Sequence, residues 1–194
     1  GCQVLSGPFP ARTSIDDPIG YASDDSISPH GYDPRLSVAL SALAMREIAA
    51  KEQGAAEVNE SGEDKANDEA VPPVPPLVLA HPNDPIASRA CDAIRRHLER
   101  VGISVRLRPF DPAEIERVAD ECAFLYAAMA VWEPAVDARR ILGGEMTGGK
   151  VNAYLAQALN QLAEAADSTK VRQRLHEIHR LAHDDLTVIP LWQL

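Results

Sequence analysis

LVLAHPNDPIASRACDAIRRHLERVGISVRLRPFDPAEIERVADECAFLYAAMAVWEPAVDARRIL, residues 77–142, is the stretch that decides the fold. It reads as a strand (77–81), a helix (84–102), a strand (103–110), a short helix (111–119), a strand (123–132) and a helical turn (136–142). The apolar residues change period at each step, and the connections are short. Both helices open on Asp-Pro, at Asp84-Pro85 and Asp111-Pro112. Asp caps free amides there, and Pro takes the first helical position, which has no amide bond to lose. Strand, helix, strand with short links is the βαβ unit, so the sequence predicts an α/β chain with a largely parallel sheet covered by helices.

Within this block, Ile86, Ala90, Ala93, Ile94, Leu98 and Val101 form the predicted apolar stripe, and Gly102 closes the helix. Asp111 and Glu114 have capping-box spacing. The run Ala123–Val131 is apolar throughout, which predicts a strand buried on both faces.

Outward from the block, residues 1–31 hold Pro8, Pro10, Pro18 and Pro29 among Asp16, Asp17, Asp24 and Asp25. No periodicity survives there, which predicts an extended lead-in that is ordered only where something packs on it. Asp33-Pro34 opens a helix through Lys51 whose Leu36, Leu40, Leu43 and Ile48 share one face. Residues 52–76 are acidic, poor in large apolar side chains and end in VPPVPP. Such a segment buries too little to offset its chain entropy, so it reads as a mobile, solvated loop inserted in one α/β lobe spanning 1–194. After the glycines at 143, 144, 148 and 149, read as turns, helices follow at about 151–165 and from Asp167 or Ser168 to about His183. The last has Val171, Leu175, Ile178, Ala182 and then Leu186 on its predicted buried face. TVIPLWQL, a short apolar strand with no polar tail, suggests a chain cut from something longer.

Composition narrows the functions. The chain has 194 residues, 45% hydrophobic, and a formal charge of -10. No basic stripe is visible for nucleic acid, no apolar run is long enough to span a bilayer, and no signal peptide opens the sequence. Cys2, Cys91 and Cys122 lack metal-type spacing. Gly1-Cys2 places a small residue before a cysteine, as at a lipoprotein cleavage site, but no leader precedes it, so a plain thiol is expected. The glycine pairs lack the Lys-Ser/Thr of a phosphate loop. His176, His179 and His183 lie at spacings that bring them to one helical face, with Asp184 as a further metal ligand. Arg172, Arg174 and Arg180 share that helix and no catalytic Glu stands between the histidines, so a solvated, partly packed helix face is the expectation. With neither nucleophile nor metal centre, no catalytic residue and no cofactor is assigned, and an enzyme is not expected.

Trp132 stands where the third strand should emerge, followed by Glu133, Pro134 and Asp137. Ligands of open α/β sheets bind beyond the carboxyl ends of the strands. Trp132 there is either an apolar wall for a ligand or a plug at the edge of the core, and spacing alone leaves both open.

Several segments in order resemble a known family: Gly-Pro-Phe-Pro at 7–10, Tyr-Asp-Pro at 32–34 opening a helix, LVLAHPNDPIASRACDAIRRHLERVGISVRLRPFDPAEI, Ala-Val-Trp at 130–132, and DDLTVIPLWQ near the end. The chain resembles the C-terminal lobe of family 5 extracellular solute-binding proteins, the oligopeptide-, dipeptide- and nickel-binding receptors of ABC importers. The resemblance implies one lobe of a two-lobed clamp of the periplasmic-binding-protein type. It implies a secreted protein, periplasmic or extracellular and often lipid-anchored, that captures a peptide or other small solute against an N-terminal lobe and delivers it to an ABC permease. Trp132 matches the family's cavity-lining Trp. Peptide-binding members commonly carry an Asp three residues on, which pairs with the peptide's amino terminus; here that position is Ala135. Glu133 and Asp137 stand near it as substitute polar contacts, off the matching position.

Two readings from other classes stand beside this one. A small-molecule-sensing domain of a transcription regulator would sit behind a basic helix-turn-helix. A degenerate scaffold would bind a protein partner without ligand.

Overall fold

The computed structural model describes residues 3–14, 16–57, 75–144 and 151–193, with backbone alone at 52–57 and 116. Cys2, most of the acidic segment and the glycines at 148 and 149 lie outside the described residues. In chain order the elements are strand β1 (Gln3–Val4), a 3-10 turn (Gly20–Ala22), helix α1 (Pro34–Glu57), β2 (Leu77–Pro82), α2 (Pro85–Arg100), β3 (Val105–Phe110) and a second 3-10 turn (Pro112–Glu114). Then come α3 (Ile115–Glu121), β4 (Phe124–Leu125), α4 (Pro134–Leu142), α5 (Ala153–Ala163), α6 (Ser168–Asp185) and β5 (Trp192–Gln193). The sequence reading treats 1–194 as one lobe; the chain falls into two compact units, Tyr32–Ala127 and Gly1–Gly31 with Ala128–Leu194.

The first unit contains the predicted βαβ core. β2 lies in the middle of a parallel sheet, order β3-β2-β4, with Leu77 opposite Val105 and Pro82 opposite Phe110. Asp84 caps α2 by accepting from the amides of Ile86 and Ala87, both at 2.9 Å. At the other end, Gly102 takes φ +88°, a left-handed conformation a Cβ would resist, and the amide of Ile103 returns to the carbonyl of Leu98. Cys91, Ile94 and Leu98 pack in one cluster with Leu79, Val105 and Leu107 of the sheet, and Ala87 is buried on the same helix. Ile86, expected in the stripe, is 75% exposed, because the buried row is set by Ala87 and its i+4 and i+7 neighbours.

Other features of this unit differ from the sequence reading or go beyond it. The strand expected across 123–132 pairs only at Phe124–Leu125, on the sheet edge, and Phe124 is exposed. The register Ala80↔Leu125, carried forward, sets Ala127 opposite Pro82, which has no amide to donate, and the ladder stops. The apolar row Leu36, Leu40, Leu43 and Ile48 of α1 is solvent-exposed. Ser41 is the one residue of α1 that is buried among those described with side chains, and its hydroxyl donates to the carbonyl of Val101. The helix also continues to Glu57, past the Glu52 boundary expected for the acidic loop. At Asp111 the capping box is half made: Asp111 accepts from the amide of Ala113, while the Glu114 carboxylate pairs with Arg117.

The second unit is a helical body with the lead-in laid on it. Leu155, Leu159 and Leu162 of α5 pack with Leu175 and Ile178 of α6 and with Ile141 and Leu142 of α4. Phe9 of the lead-in is fully buried in the same cluster, worth roughly 1.5–3 kcal/mol of apolar transfer. β1 and β5 pair antiparallel, Gln3 with Gln193 and Val4 with Trp192. Asp167 caps α6, accepting from Lys170 N at 2.9 Å. Leu186, expected on the buried face, instead ends the helix at φ +53° and is 48% exposed. Among the described residues, no helix is long and apolar enough to cross a membrane.

Candidate functional site

Trp132, Glu133 and Asp137 meet at the start of α4. Pro134 occupies the first helical turn and is buried, so the chain is anchored one residue after Glu133. Asp137, one turn into the helix, reaches back: its Oδ2 accepts from the backbone amides of Trp132 at 2.8 Å and Glu133 at 3.0 Å. Its Oδ1 accepts from Arg140 Nη2 at 3.0 Å, and the same Nη2 donates to the carbonyl of Ala130 at 2.9 Å. One carboxylate and one guanidinium thus lock residues 130–133 onto α4. The amides of Glu133 and Trp132 hold the Asp137 carboxyl below its ordinary range, so it stays ionised well into acid.

The lock leaves the Trp132 side chain outside. Trp132 is 82% exposed, so the alternative in which it plugs the core edge is overturned. Val136, on the first turn of α4, is exposed as well. Glu133 caps the helix, accepting from Ala135 N at 3.4 Å, and it also accepts from the hydroxyl of Tyr21 in the lead-in. Burial first, and then the Glu133 carboxylate, push the Tyr21 phenol up to about 12, so it stays a donor throughout the physiological range. Both Asp137 oxygens are used within the protein, whereas the Trp132 ring presents an apolar face to solvent. Sequence reasoning missed Tyr21, whose partner lies far along the chain and leaves no local signature.

The histidines of α6 are packed more closely than the solvated, partly packed face expected of them: His179 is buried, and His176 and His183 are half-buried. His179 is fully buried, and its two ring nitrogens face Ser6 Oγ at 3.1 Å and the amide of Asp24 at 3.3 Å. His176 donates to the carbonyl of Tyr21 at 3.1 Å, and His183 to the carbonyl of Ser6 at 2.8 Å. The three rings are spent on the lead-in rather than converging on one point. Among the described residues, no group of three or more His, Cys, Asp or Glu is placed to hold a metal. Cys91 and Cys122 are free thiols, and burial pushes Cys91 up to about 11.

Neither a family model nor a curated protein matches the chain. Solved structures do. The oligopeptide-binding protein AppA of Bacillus subtilis, in complex with a nonapeptide, matches with a TM-score of 0.65 at 10% identity, over 98% of this chain and 36% of that one. The chain shares part of the fold of the solute-binding proteins. NikA of Brucella suis, in complex with Fe(III)-EDTA, matches 100% of this chain and 37% of its own, with a TM-score of 0.64 at 16% identity. The periplasmic binding protein DppA of Helicobacter pylori, in complex with peptide STSA, gives 0.61 at 15% identity, over 98% of this chain and 33% of that one. These are the family 5 solute-binding proteins to which the sequence resemblance points. At such identities the likeness is one of fold, and the chain spans about a third of the length of these solute-binding proteins.

Proposed function

We propose that the chain is the C-terminal, ligand-contacting lobe of an extracellular solute-binding protein that captures a peptide or other small solute for an ABC importer. Its partners would be the ligand, an N-terminal lobe and the membrane permease, and it would catalyse nothing. The observation that carries the reading is Trp132, exposed on a backbone that Asp137 and Arg140 hold rigid. A rigid, exposed indole offers a large apolar contact with one donor, which suits a solute sandwiched between two surfaces. The solute-binding neighbours support this assignment by fold.

Glu133 is the polar contact nearest the wall; Asp137 acts by holding the wall in place. With Ala135 where peptide-binding members commonly carry an Asp, a buried ammonium group would be poorly compensated, so the favoured solute lacks a free amino terminus at that point. The test is calorimetric titration of the full-length protein with a panel of free and amino-terminally blocked peptides and metal chelates. Trp132→Ala should weaken the best binder tenfold or more, and unchanged affinity would discard Trp132 as the wall.

A further inference from the structure

Where the lead-in crosses α6, four histidine side chains hold it. His179 lies fully buried between Gly7, where a Cβ would fall 2.4 Å from Nε2, and Phe9, whose ring centroid is 6.2 Å away. Its protonation state is dictated by its neighbours. The Asp24 amide donates to Nδ1, so Nδ1 carries no proton; in the neutral ring Nε2 then carries one and donates to Ser6 Oγ. A second proton would set two N–H groups head to head and put a charge in a buried site. His183 donates to the Ser6 carbonyl and stacks on His30, with centroids 3.9 Å apart and planes 4° from parallel. His30 donates back to the His183 carbonyl at 3.2 Å, and His176 holds the carbonyl of Tyr21.

We propose that His179 is the acid-sensitive member of a latch: with His30, His176 and His183 it holds the lead-in on α6 at neutral pH, and a second proton on its ring releases the segment around Ser6 and Asp24 in mild acid. The release does not depend on whether the chain binds a solute.

The charged surroundings support this direction. Burial holds His179 below its ordinary range; Asp24 opposes that, while His183 and His176 reinforce it. Asp24 is already paired with Arg180 at 3.1 Å, which tempers its help to a second proton. Although α4 and α5 also pack on α6, neither contributes a charged group to this balance among the described residues. The sign follows. A ring whose folded value lies below its unfolded one favours the latched state above about pH 6.5, and that preference fades as pH falls further.

Amide hydrogen exchange on the full chain, corrected for intrinsic rates, tests the latch. Between pH 7.5 and 5.5, peptides covering Ser6 and Asp24 should open about tenfold more readily, the ratio expected for one ring that titrates only when released. Peptides from α5 should not change. His179→Asn keeps an oxygen acceptor near the Asp24 amide without a titrating ring, and it should flatten the response. Nitrogen-resolved imidazole spectra of the unsubstituted chain supply a readout that needs no variant: at pH 7.5, His179 should carry its proton on Nε2. Unchanged lead-in exchange, acceleration spread equally over α5, or a proton on Nδ1 would each overturn the proposal.

Discussion

The Tyr21 hydroxyl donates to the Glu133 carboxylate, joining residues 112 positions apart and tying the lead-in to the residue that caps α4. The same tyrosine offers its backbone carbonyl to His176, so its two ends are held by two different helices. Tyr21→Phe removes the first tie and leaves the second. It should destabilise the chain by about 1 kcal/mol in urea unfolding, the usual worth of one such hydrogen bond. A loss under a few tenths would mean that solvent replaces the phenol without penalty.

Gly7 has no room for a side chain. A Cβ there would meet Nε2, Cδ2 and Cε1 of His179 at 2.4, 2.6 and 2.9 Å. The ring is bonded through both nitrogens and has no room to retreat. Gly7→Ala should therefore lower stability by about 1–3 kcal/mol, the range of overpacked sites. Differential scanning calorimetry against the unsubstituted chain checks it.

Asp137→Ala removes the acceptor that pins the amides of Trp132 and Glu133 and deprives Arg140 of its partner. Charge-assisted bonds of this kind contribute about 1.5–3 kcal/mol. Beyond the stability change, the Trp132 indole should become more mobile, read as a fall in fluorescence anisotropy relative to Trp132→Phe controls that isolate Trp192.

Carboxylates set a second, lower acid transition. Asp17 and Asp24 are each lowered to about 2, Asp17 chiefly by the backbone amide of Thr13 and Asp24 chiefly by the Ser26 hydroxyl. Asp137 is lowered as well, chiefly by the Glu133 amide. A depressed carboxyl contributes stability above its unfolded value of about 3.9, and that contribution is lost as pH falls through the folded value. Unfolding midpoints should therefore drop steeply between about pH 4 and pH 2, apart from any change near pH 6. A flat profile in that range would show that these carboxyls titrate normally.

Leu36 and Leu40 are 54% and 56% exposed. Changing either to Gln should alter the stability of this chain by less than about 0.5 kcal/mol, as for ordinary surface positions. A loss of several kcal/mol would place them in a core.

These cases mark what the sequence carries. Asp84, Pro85 and Gly102 announce the ends of α2 through local chemistry, so the βαβ core is legible. The start of α4 is only partly legible: the sequence reading sets Trp132 at the end of a long strand with a helical turn from 136, whereas the strand pairs only at Phe124–Leu125 and the helix already opens at Pro134. The exposed face of α1 is not legible, since 3.6-residue spacing reports that a face is apolar and says nothing about what covers it. The end of β4 depends on which β2 residue stands opposite, and that is a register rather than a pattern. The histidines of α6 look like a solvated, partly packed row because their partners, Ser6, Tyr21 and Asp24, lie more than 150 positions away.

The pairing of β1 with β5 has a mechanical side. Gln3 faces Gln193 and Val4 faces Trp192, and the Gln193 side chain also accepts from the amide of Ala11 at 2.9 Å. Antiparallel bonds run across the strands, so tension applied outward at Gln3 and Gln193 loads them one after another instead of all together. Such a seam is expected to part pair by pair, beginning at Gln3 and Gln193.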